Sequence, residues 1–194
     1  MKRKPLLFLL LIVACGVFLF AAIRLVRAYT AKDARQTIDA AAVARVVDSA
    51  LPERTAGVLE SRTDNAMPAL AIDGLDVIGL LELPEQDIKL PVGDLQGDPS
   101  LTYRPARYTG TLYDGSLTIA GVYSDHELSV MASLEGGESV VFTDMTGEFF
   151  TFSVERVRRV SEVSEEVLAA FDADLIWFAQ KGDTWFVVCC RAAG

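Results

Sequence analysis

The chain opens with one long apolar stretch. Residues 5–23 carry no charged side chain and have basic residues on both flanks. As a helix they would rise roughly 28 Å, close to the ~30 Å hydrocarbon core of a bilayer. The pattern therefore predicts an uncleaved transmembrane anchor. A cleaved signal peptide is the alternative, because Ala21, Ala22 and Ala28 supply small residues for a cleavage site.

Residues 31–61 show a helical spacing of apolar positions. The positions expected on one face of this helix are Ile38, Ala41, Ala42, Val46 and Ser49. Pro52 is expected to break or restart the helix, because proline cannot donate a backbone hydrogen bond. The segment is predicted to form a membrane-proximal stalk that also packs against the following domain, and residues 63–68 read as a linker.

From about residue 68 the pattern changes to short strands. The predicted strands are 77–84, 88–92, 108–111, 116–120, 139–144, 148–154, 175–178 and 185–190. Met145, Thr146 and Gly147 form a predicted hairpin turn, and residues 161–171 a short helix capped by Ser161 or Ser164. Many short strands with few helices predict a mainly β fold built as a closed β-barrel.

Charge is distributed unevenly. The first 27 residues hold five of the 18 basic residues and no acidic residue, so the remainder carries 13 basic and 27 acidic residues, a net charge of −14. Such a domain is a poor partner for nucleic acid or anionic lipid. Lys2, Arg3 and Lys4 favour a cytoplasmic N-terminus, whereas Arg24 and Arg27 on the other flank weaken that argument.

The sequence predicts neither a disulfide framework nor a metal site. Cys15 lies in the predicted anchor, and Cys189 and Cys190 are adjacent, so in a strand they would point to opposite faces. We therefore expect these two to be small buried core residues. The single histidine, His126, excludes a histidine-rich metal centre, and no cofactor is predicted.

Several stretches, taken in order over residues 70–191, resemble a known family. They are 78–84 with 90–92, 107–111, 117–121, 135–144 with Gly147 and 152–154, 174–175 with Phe178, and 187–188 with 190–191. This series resembles the sortases, cysteine transpeptidases that anchor proteins to the Gram-positive cell wall, and the details resemble the class B-like branch. The resemblance implies a sortase-like closed β-barrel with short helices, on the outer side of the membrane.

The resemblance also implies a domain order. A cytoplasmic tip and transmembrane anchor span residues 1–27, a helical stalk and linker span 28–67, and the barrel spans 68–194. In the family, a cysteine attacks a peptide carbonyl to form a thioester, a histidine serves as acid and base, and an arginine stabilises the oxyanion or holds the peptide.

None of these three side chains is present at the matching positions. The resemblance places the family histidine at Val122, the cysteine at Gln180 and the arginine at Trp185. Valine cannot transfer a proton, glutamine cannot form a thioester and tryptophan carries no charge. The short 181–184 segment reads as a tight hairpin. The predicted protein is therefore a catalytically inactive, single-pass pseudo-sortase at the cell surface.

Its predicted role is binding without turnover. The candidate groove comprises Val122, Tyr123, His126, Gln180 and Trp185. The expected partners are the membrane through residues 5–23, and a surface-protein sorting peptide or an active sortase in cell-wall anchoring or pilus assembly. No nucleic-acid partner is expected.

Two alternatives stay open. The first is an active but atypical transpeptidase or peptidase, which would require His126 or a cysteine at an unexpected place, Cys189 or Cys190. The second is a structural component of an envelope complex that makes contact through residues 31–61. The aromatic residues also have two interpretations. We expect Trp177 and Phe178 to pack in the core, whereas Trp185 fits packing and peptide binding equally well.

Overall fold

The structure, a computed structural model, describes residues 41–59, 66–72, 75–94, 105–122 and 128–193. All of these fall in one compact unit, residues 39–194. The predicted anchor at 5–23 and the first part of the predicted stalk lie outside the described residues. Within the described ranges, no helix is both long enough and apolar enough to cross a membrane.

Strands dominate the described residues. They are β1 (Thr55–Ala56), β2 (Leu70–Ile72), β3 (Leu75–Leu83), β4 (Ile88–Gly93), β5 (Ala106–Thr109), β6 (Leu117–Val122), β7 (Ser139–Asp144), β8 (Glu148–Val160), β9 (Leu175–Lys181) and β10 (Thr184–Ala192). Helix α1 covers the described residues 41–50, and helix α2 covers Glu165–Ala169. Short 3₁₀ helices lie at Pro84–Gln86 and Leu128–Ser133. Each predicted strand overlaps one of these strands.

Eight of the described strands close into a barrel. Their order is β8-β10-β9-β6-β5-β4-β3-β7, and β7 pairs back with β8. Neighbouring strands around the ring are antiparallel except at β4–β5 and β6–β9, which are parallel. Strands β1 and β2 add to the sheet through β8 and β3. The prediction of a mainly β, closed barrel is confirmed.

Apolar side chains cover both faces of β9. Trp177 and Ala179 belong to the main core cluster, whereas Ile176 and Phe178 belong to a second cluster that also contains Leu168 of α2. Strands that are covered on both faces read as continuous apolar runs rather than as alternating ones. This explains why residues 175–179 are apolar throughout, and it places α2 against one face of this part of the sheet.

The turn between β7 and β8 forms as predicted. Gly147 has a φ of +85°, a conformation that glycine adopts at little cost. The buried carboxylate of Asp144 accepts hydrogen bonds from the backbone N–H groups of Thr146, at 2.9 Å, and Glu148, at 3.0 Å. It also accepts a 2.7 Å hydrogen bond from the Tyr113 hydroxyl, which connects this turn to the turn that contains Tyr113.

Helix α2 is shorter than the predicted 161–171 helix, because the extended backbone of Ser164 sets its N-terminus at Glu165 and it ends at Ala169. Of the two predicted caps, Ser164 is the one observed: its side chain accepts a hydrogen bond from the Val167 N–H. The cap satisfies a backbone donor that the first turn of a helix leaves unpaired.

The predicted break of the 31–61 helix at Pro52 is confirmed, but the prediction of helix after that residue is wrong. Helix α1 ends at residue 50, and after Pro52 the chain forms β1. The backbone N–H groups of Thr55 and Gly57 donate to the carbonyls of Gly147 and Phe149, at 3.0 and 2.9 Å. Pairing with β8 therefore supplies the backbone hydrogen bonds that a continued helix would have supplied.

The predicted face of α1 is also wrong, although the predicted packing against the domain is confirmed. Val43, Ala44 and Val47 are buried, in a cluster that contains Val77 and Leu80 of β3. Val46, which was expected to lie on the packed face, is 49% exposed. The position of β3 selects the buried face, and helical spacing alone did not distinguish it from the adjacent one.

Four charged side chains join α1 to the barrel. Arg54 contacts Asp48 and Glu82, each at 2.8 Å, and Lys89 contacts the same two carboxylates, each at 3.1 Å. Desolvation of Asp48 acts to raise its pKa, but Lys89 and Arg54 outweigh it, so the pKa is lowered. A carboxyl with a lowered folded-state pKa stabilises the fold above its unfolded pKa of ~3.9, and that contribution is lost as the pH falls.

Asp48→Asn is expected to lower the free energy of unfolding at pH 7 by less than about 1 kcal/mol, because Asp48 and its partners Arg54 and Lys89 are largely exposed. The difference from wild type should shrink as the pH falls below about 4, because Asp48 becomes protonated first in the unfolded state and, at still lower pH, in the folded state, whose pKa is lowered. Urea unfolding at pH 7 and pH 3 measures it. Asp183→Asn, in an exposed turn, is the matched control. If Asp48→Asn lowered the free energy of unfolding by the same amount at both pH values, the charge-based explanation would be contradicted.

Candidate functional site

The three positions that the resemblance singles out are neighbours across the sheet. Val122 of β6 is opposite Gln180 of β9, and Gln180 is opposite Trp185 of β10. Residues directly opposite on adjacent antiparallel strands have Cβ atoms about 4.5–5.5 Å apart. The register therefore places the Gln180 and Trp185 side chains side by side and puts backbone position 122 next to them.

Two further rows of residues continue the same arrangement along these strands. Ala120, Phe178 and Val187 form the next row, and Thr118, Ile176 and Cys189 form the row after it. All six residues are buried. Gln180, in contrast, is exposed, and Trp185 is half-buried. The row at Gln180 therefore lies where the covered face of the sheet ends and solvent begins.

Trp185 combines a packed side with an accessible one. Its ring centroid lies 5.7 Å from that of Phe178 at an interplanar angle of 55°, and the Tyr108 ring meets Phe178 edge-on at 5.3 Å. Phe178 is fully buried between its neighbours, and Trp177 is 1% exposed in the main core. The packing expected for Trp177 and Phe178 is confirmed. Trp185 packs against Phe178 and also presents surface to solvent.

The hairpin that follows Gln180 is as tight as predicted. Lys181 is opposite Thr184, so only two residues separate the strands, and Gly182 has a φ of +59°. A positive φ at the first central residue fits a type II′ turn, which suits the twist of paired strands. Gln180 and Trp185 form the next pair along, directly beneath this short turn.

Part of the predicted groove lies outside the described residues. Tyr123 and His126 fall in the 123–127 segment, which the structure does not describe. Of the five predicted groove residues, Gln180 and Trp185 are therefore paired side by side. Val122 is paired with Gln180 in the strand register.

No protein-family model and no curated protein matches this sequence. Solved structures do match. Sortase D5 transpeptidase from Clostridium perfringens aligns with a TM-score of 0.51 and 16% identity, over 61% of this chain and 80% of that one. The chain has a sortase-like fold. At this identity the likeness concerns the fold alone.

Two other sortases show the same likeness at slightly lower similarity. Sortase A from Corynebacterium diphtheriae has a TM-score of 0.48 and 16% identity, over 62% of each chain. This protein thus spans 62% of the length of that sortase. Sortase C from Clostridium perfringens, in a structure with the C-terminal cell wall sorting motif, has a TM-score of 0.48 and 14% identity, over 61% of this chain and 71% of that one.

The two described thiols of the sortase-like barrel are far from the Gln180 row. Cys189 is opposite Ile176, four residues from Gln180 along β9, or ~13 Å. Cys189 and Cys190 are 0% and 1% exposed, and they belong to different core clusters, as expected for neighbours that point to opposite faces. Both are free. The interpretation of both as small buried core residues is confirmed.

Burial also makes these thiols poor nucleophiles. Loss of hydration raises the pKa of the Cys189 thiol, and the nearby guanidinium groups of Arg156 and Arg158 offset this only in part. Burial likewise raises the pKa of Cys190. Because the thiolate is the reactive form, a raised pKa suppresses attack on a carbonyl at neutral pH. Within the described part of the chain, no three His, Cys, Asp or Glu side chains are grouped to hold a metal.

Sequence reasoning missed two neighbours of the site. Tyr108 packs on Phe178, but the pairing of β5 with β6 shifts register between Arg107 and Thr109, so simple alternation did not show which face Tyr108 takes. Val160 is opposite Trp185, at the end of a strand that was predicted to stop at residue 154. The sequence pattern did not predict this continuation, because residues 155–159 are mostly charged.

Proposed function

We propose that this protein is a pseudo-sortase: a membrane-anchored, extracellular protein that binds an extended peptide of a surface protein, or an active sortase, without turning it over. The proposed setting is cell-wall protein anchoring or pilus assembly. One observation carries the proposal. In a sortase-like barrel, Val122, Gln180 and Trp185 lie in one row, and none of them has a thiol, an imidazole or a guanidinium group.

Exposed Gln180 and half-buried Trp185 in this row support peptide binding. The Gln180 amide has both donors and an acceptor, so it can bond the backbone of an extended chain. The Trp185 indole, held from one side by Phe178, offers a rigid apolar surface at small entropic cost. An amide beside a pre-positioned aromatic ring is suited to holding a peptide and has no group that can form an acyl intermediate.

Trp185→Ala is expected to weaken binding of a sorting-motif peptide about 10-fold, since exposed aromatic anchors dominate such contacts. Trp185→Phe should keep the packing on Phe178 and part of the affinity. Fluorescence anisotropy of a labelled peptide with the full chain measures both. Val58→Ala, which truncates an apolar side chain that is 63% exposed elsewhere, should leave affinity unchanged.

Mass spectrometry of the same mixtures tests the second half of the proposal. We expect intact peptide and no covalent adduct on the protein after prolonged incubation with an amine nucleophile. Peptide cleavage, or a thioester on Cys189 or Cys190, would reject the inactive assignment. Failure to bind the peptide, together with failure to bind an active sortase, would reject the binding assignment.

The two alternatives receive less support from the described residues. An atypical enzyme that uses Cys189 or Cys190 needs an accessible thiolate, and both thiols are buried with raised pKa values. A structural component that makes contact through α1 cannot use the face formed by Val43, Ala44 and Val47, because that face is already packed on β3. The exposed residues of α1 between 41 and 50, which include Val46, lie away from that packed face.

A further inference from the structure

The second half of β8 has one unpaired edge. Along its first half, β8 pairs with β7 on one edge, through the register Ser139–Ser153 to Thr143–Phe149. The last backbone bonds on that edge join Val154 to Gly137 and Glu138, each at 2.8 Å. From 155 to 160 the strand continues against β10 on its other edge. Among the described residues, none pairs with the remaining edge of 155–160.

Each face of the strand presents one exposed arginine at this edge. Arg158 and Arg159 are consecutive, so their side chains point to opposite faces of the sheet, and both are exposed, whereas Val157 and Val160 pack against the core clusters. The Arg159 guanidinium lies 5.3 Å from the centroid of the Phe186 ring, which holds it beside the sheet. An unpaired strand edge is a template for a further strand.

These two arginines are also uncompensated. Arg54, Arg107 and Arg156 each form ion pairs with carboxylates. Neither Arg158 nor Arg159 has an ion-pair partner within the described ranges, although the chain has 27 acidic and only 18 basic residues. Guanidinium groups bind carboxylates through paired, directional hydrogen bonds. Two of them beside free backbone donors and acceptors match an extended, acidic chain.

We propose that the free edge of β8 at residues 155–160 binds an extended acidic peptide segment of a partner protein by strand addition. Main-chain hydrogen bonds to the edge hold the segment, and Arg158 and Arg159 bind its carboxylates, one on each face. A second copy of this chain is a poorer occupant, because antiparallel pairing of two such edges brings arginine against arginine. Trp185 is opposite Val160 but lies on β10, which pairs with the other edge of β8, so the proposed edge does not include the Gln180–Trp185 pair and does not depend on the proposed function.

The test uses the full chain and a labelled eight-residue peptide of alternating Glu and Val, with fluorescence anisotropy at low salt. The double variant R158E/R159E is expected to bind at least about 10-fold more weakly, because it places carboxylates opposite the Glu side chains of the peptide. R45E reverses one charge on α1, where the bond that Arg45 makes among the described residues is a local one to the Ala41 carbonyl, and should bind as wild type does. Thermal melting confirms that each variant is folded.

Two further measurements separate strand addition from simple charge attraction. A peptide with alternate N-methyl groups cannot pair as a strand and should lose binding. Hydrogen exchange followed by mass spectrometry should show new protection at 155–160 when the unmodified peptide binds. The proposal is overturned if the methylated peptide or inorganic polyphosphate binds equally well, if R158E/R159E changes nothing, or if the edge forms a dimer of this chain instead.

Trp185→Ala distinguishes this site from the proposed sorting-peptide site. It should weaken the sorting-motif peptide and leave the acidic peptide unaffected, because Trp185 points from β10 and not from the free edge of β8. Loss of both peptides in Trp185→Ala would mean one shared site and would reject the separate edge. If wild type binds the acidic peptide but not the sorting-motif peptide, only the proposed function is rejected.

Discussion

Asp144→Ala is expected to lower the free energy of unfolding by about 3–5 kcal/mol, a large part of the stability of a domain this size. The Asp144 carboxylate is 0% exposed. One of its oxygens accepts from the Thr146 N–H, the Thr146 hydroxyl and the Glu148 N–H, at 2.9, 2.6 and 3.0 Å. The other accepts from the Tyr113 hydroxyl at 2.7 Å. Alanine would leave these donors without the carboxylate.

Three variants separate the contributions to this effect. Asp144→Asn keeps the shape and one acceptor oxygen and should give an intermediate loss. Tyr113→Phe removes one bond to a charged acceptor and should cost about 1.5–3 kcal/mol. Asp114→Ala is the control: this exposed carboxylate caps its own turn through Ser116 and should cost less than about 1 kcal/mol. Urea unfolding followed by circular dichroism measures all of them, and near-equal losses for Asp144→Ala and Asp114→Ala would contradict this account.

Gln180→Cys is expected to introduce a thiol that reacts with a maleimide at least about 100-fold faster than Cys189 and Cys190 do, because buried thiols react only through local or global opening. Gln180 is exposed, whereas Cys189 and Cys190 are 0% and 1% exposed. The rate at residue 180 should rise with pH through ~8.5, the ordinary thiol pKa. Loss of hydration raises the pKa of Cys189 and of Cys190, which slows them further.

Peptide mapping by mass spectrometry assigns each adduct in this experiment. Unfolding the protein in urea should bring Cys189 and Cys190 to the rate of a free thiol, which shows that protection comes from the fold and not from chemical blockage. Rapid labelling of either native cysteine in the folded wild type would revive the atypical-enzyme alternative. Equal rates at residues 180 and 189 would refute the placement of Gln180 at the solvent-exposed end of its row.

Much of the barrel was predictable because its signals are local. Apolar runs such as 175–178 and 185–190 mark strands, and Gly147 and Gly182 mark the turns where a positive φ is needed. The family resemblance assembled these pieces into a sortase-like fold. Comparison with solved structures confirms that fold.

The errors occurred where a distant partner decides local structure. Strand β1 has two residues and no periodic pattern of its own, so only the backbone of β8 makes it a strand. The buried face of α1 depends on Val77 and Leu80, which lie on β3. The extension of β8 to Val160 carries three arginines, and pairing with β10 outweighs the polarity of that segment.

The side chains at residues 122, 180 and 185 can be read from the sequence, and with them the lack of a thiol, imidazole or guanidinium at those positions. That the three positions are neighbours follows from the strand pairing alone. The β9–β10 pairing follows from a two-residue turn, which is local, but the parallel pairing of β6 with β9 joins segments that are distant in the chain. Such a register is set by backbone hydrogen bonds and by the packing of both sheet faces, and neither is encoded in the residues near Val122 alone.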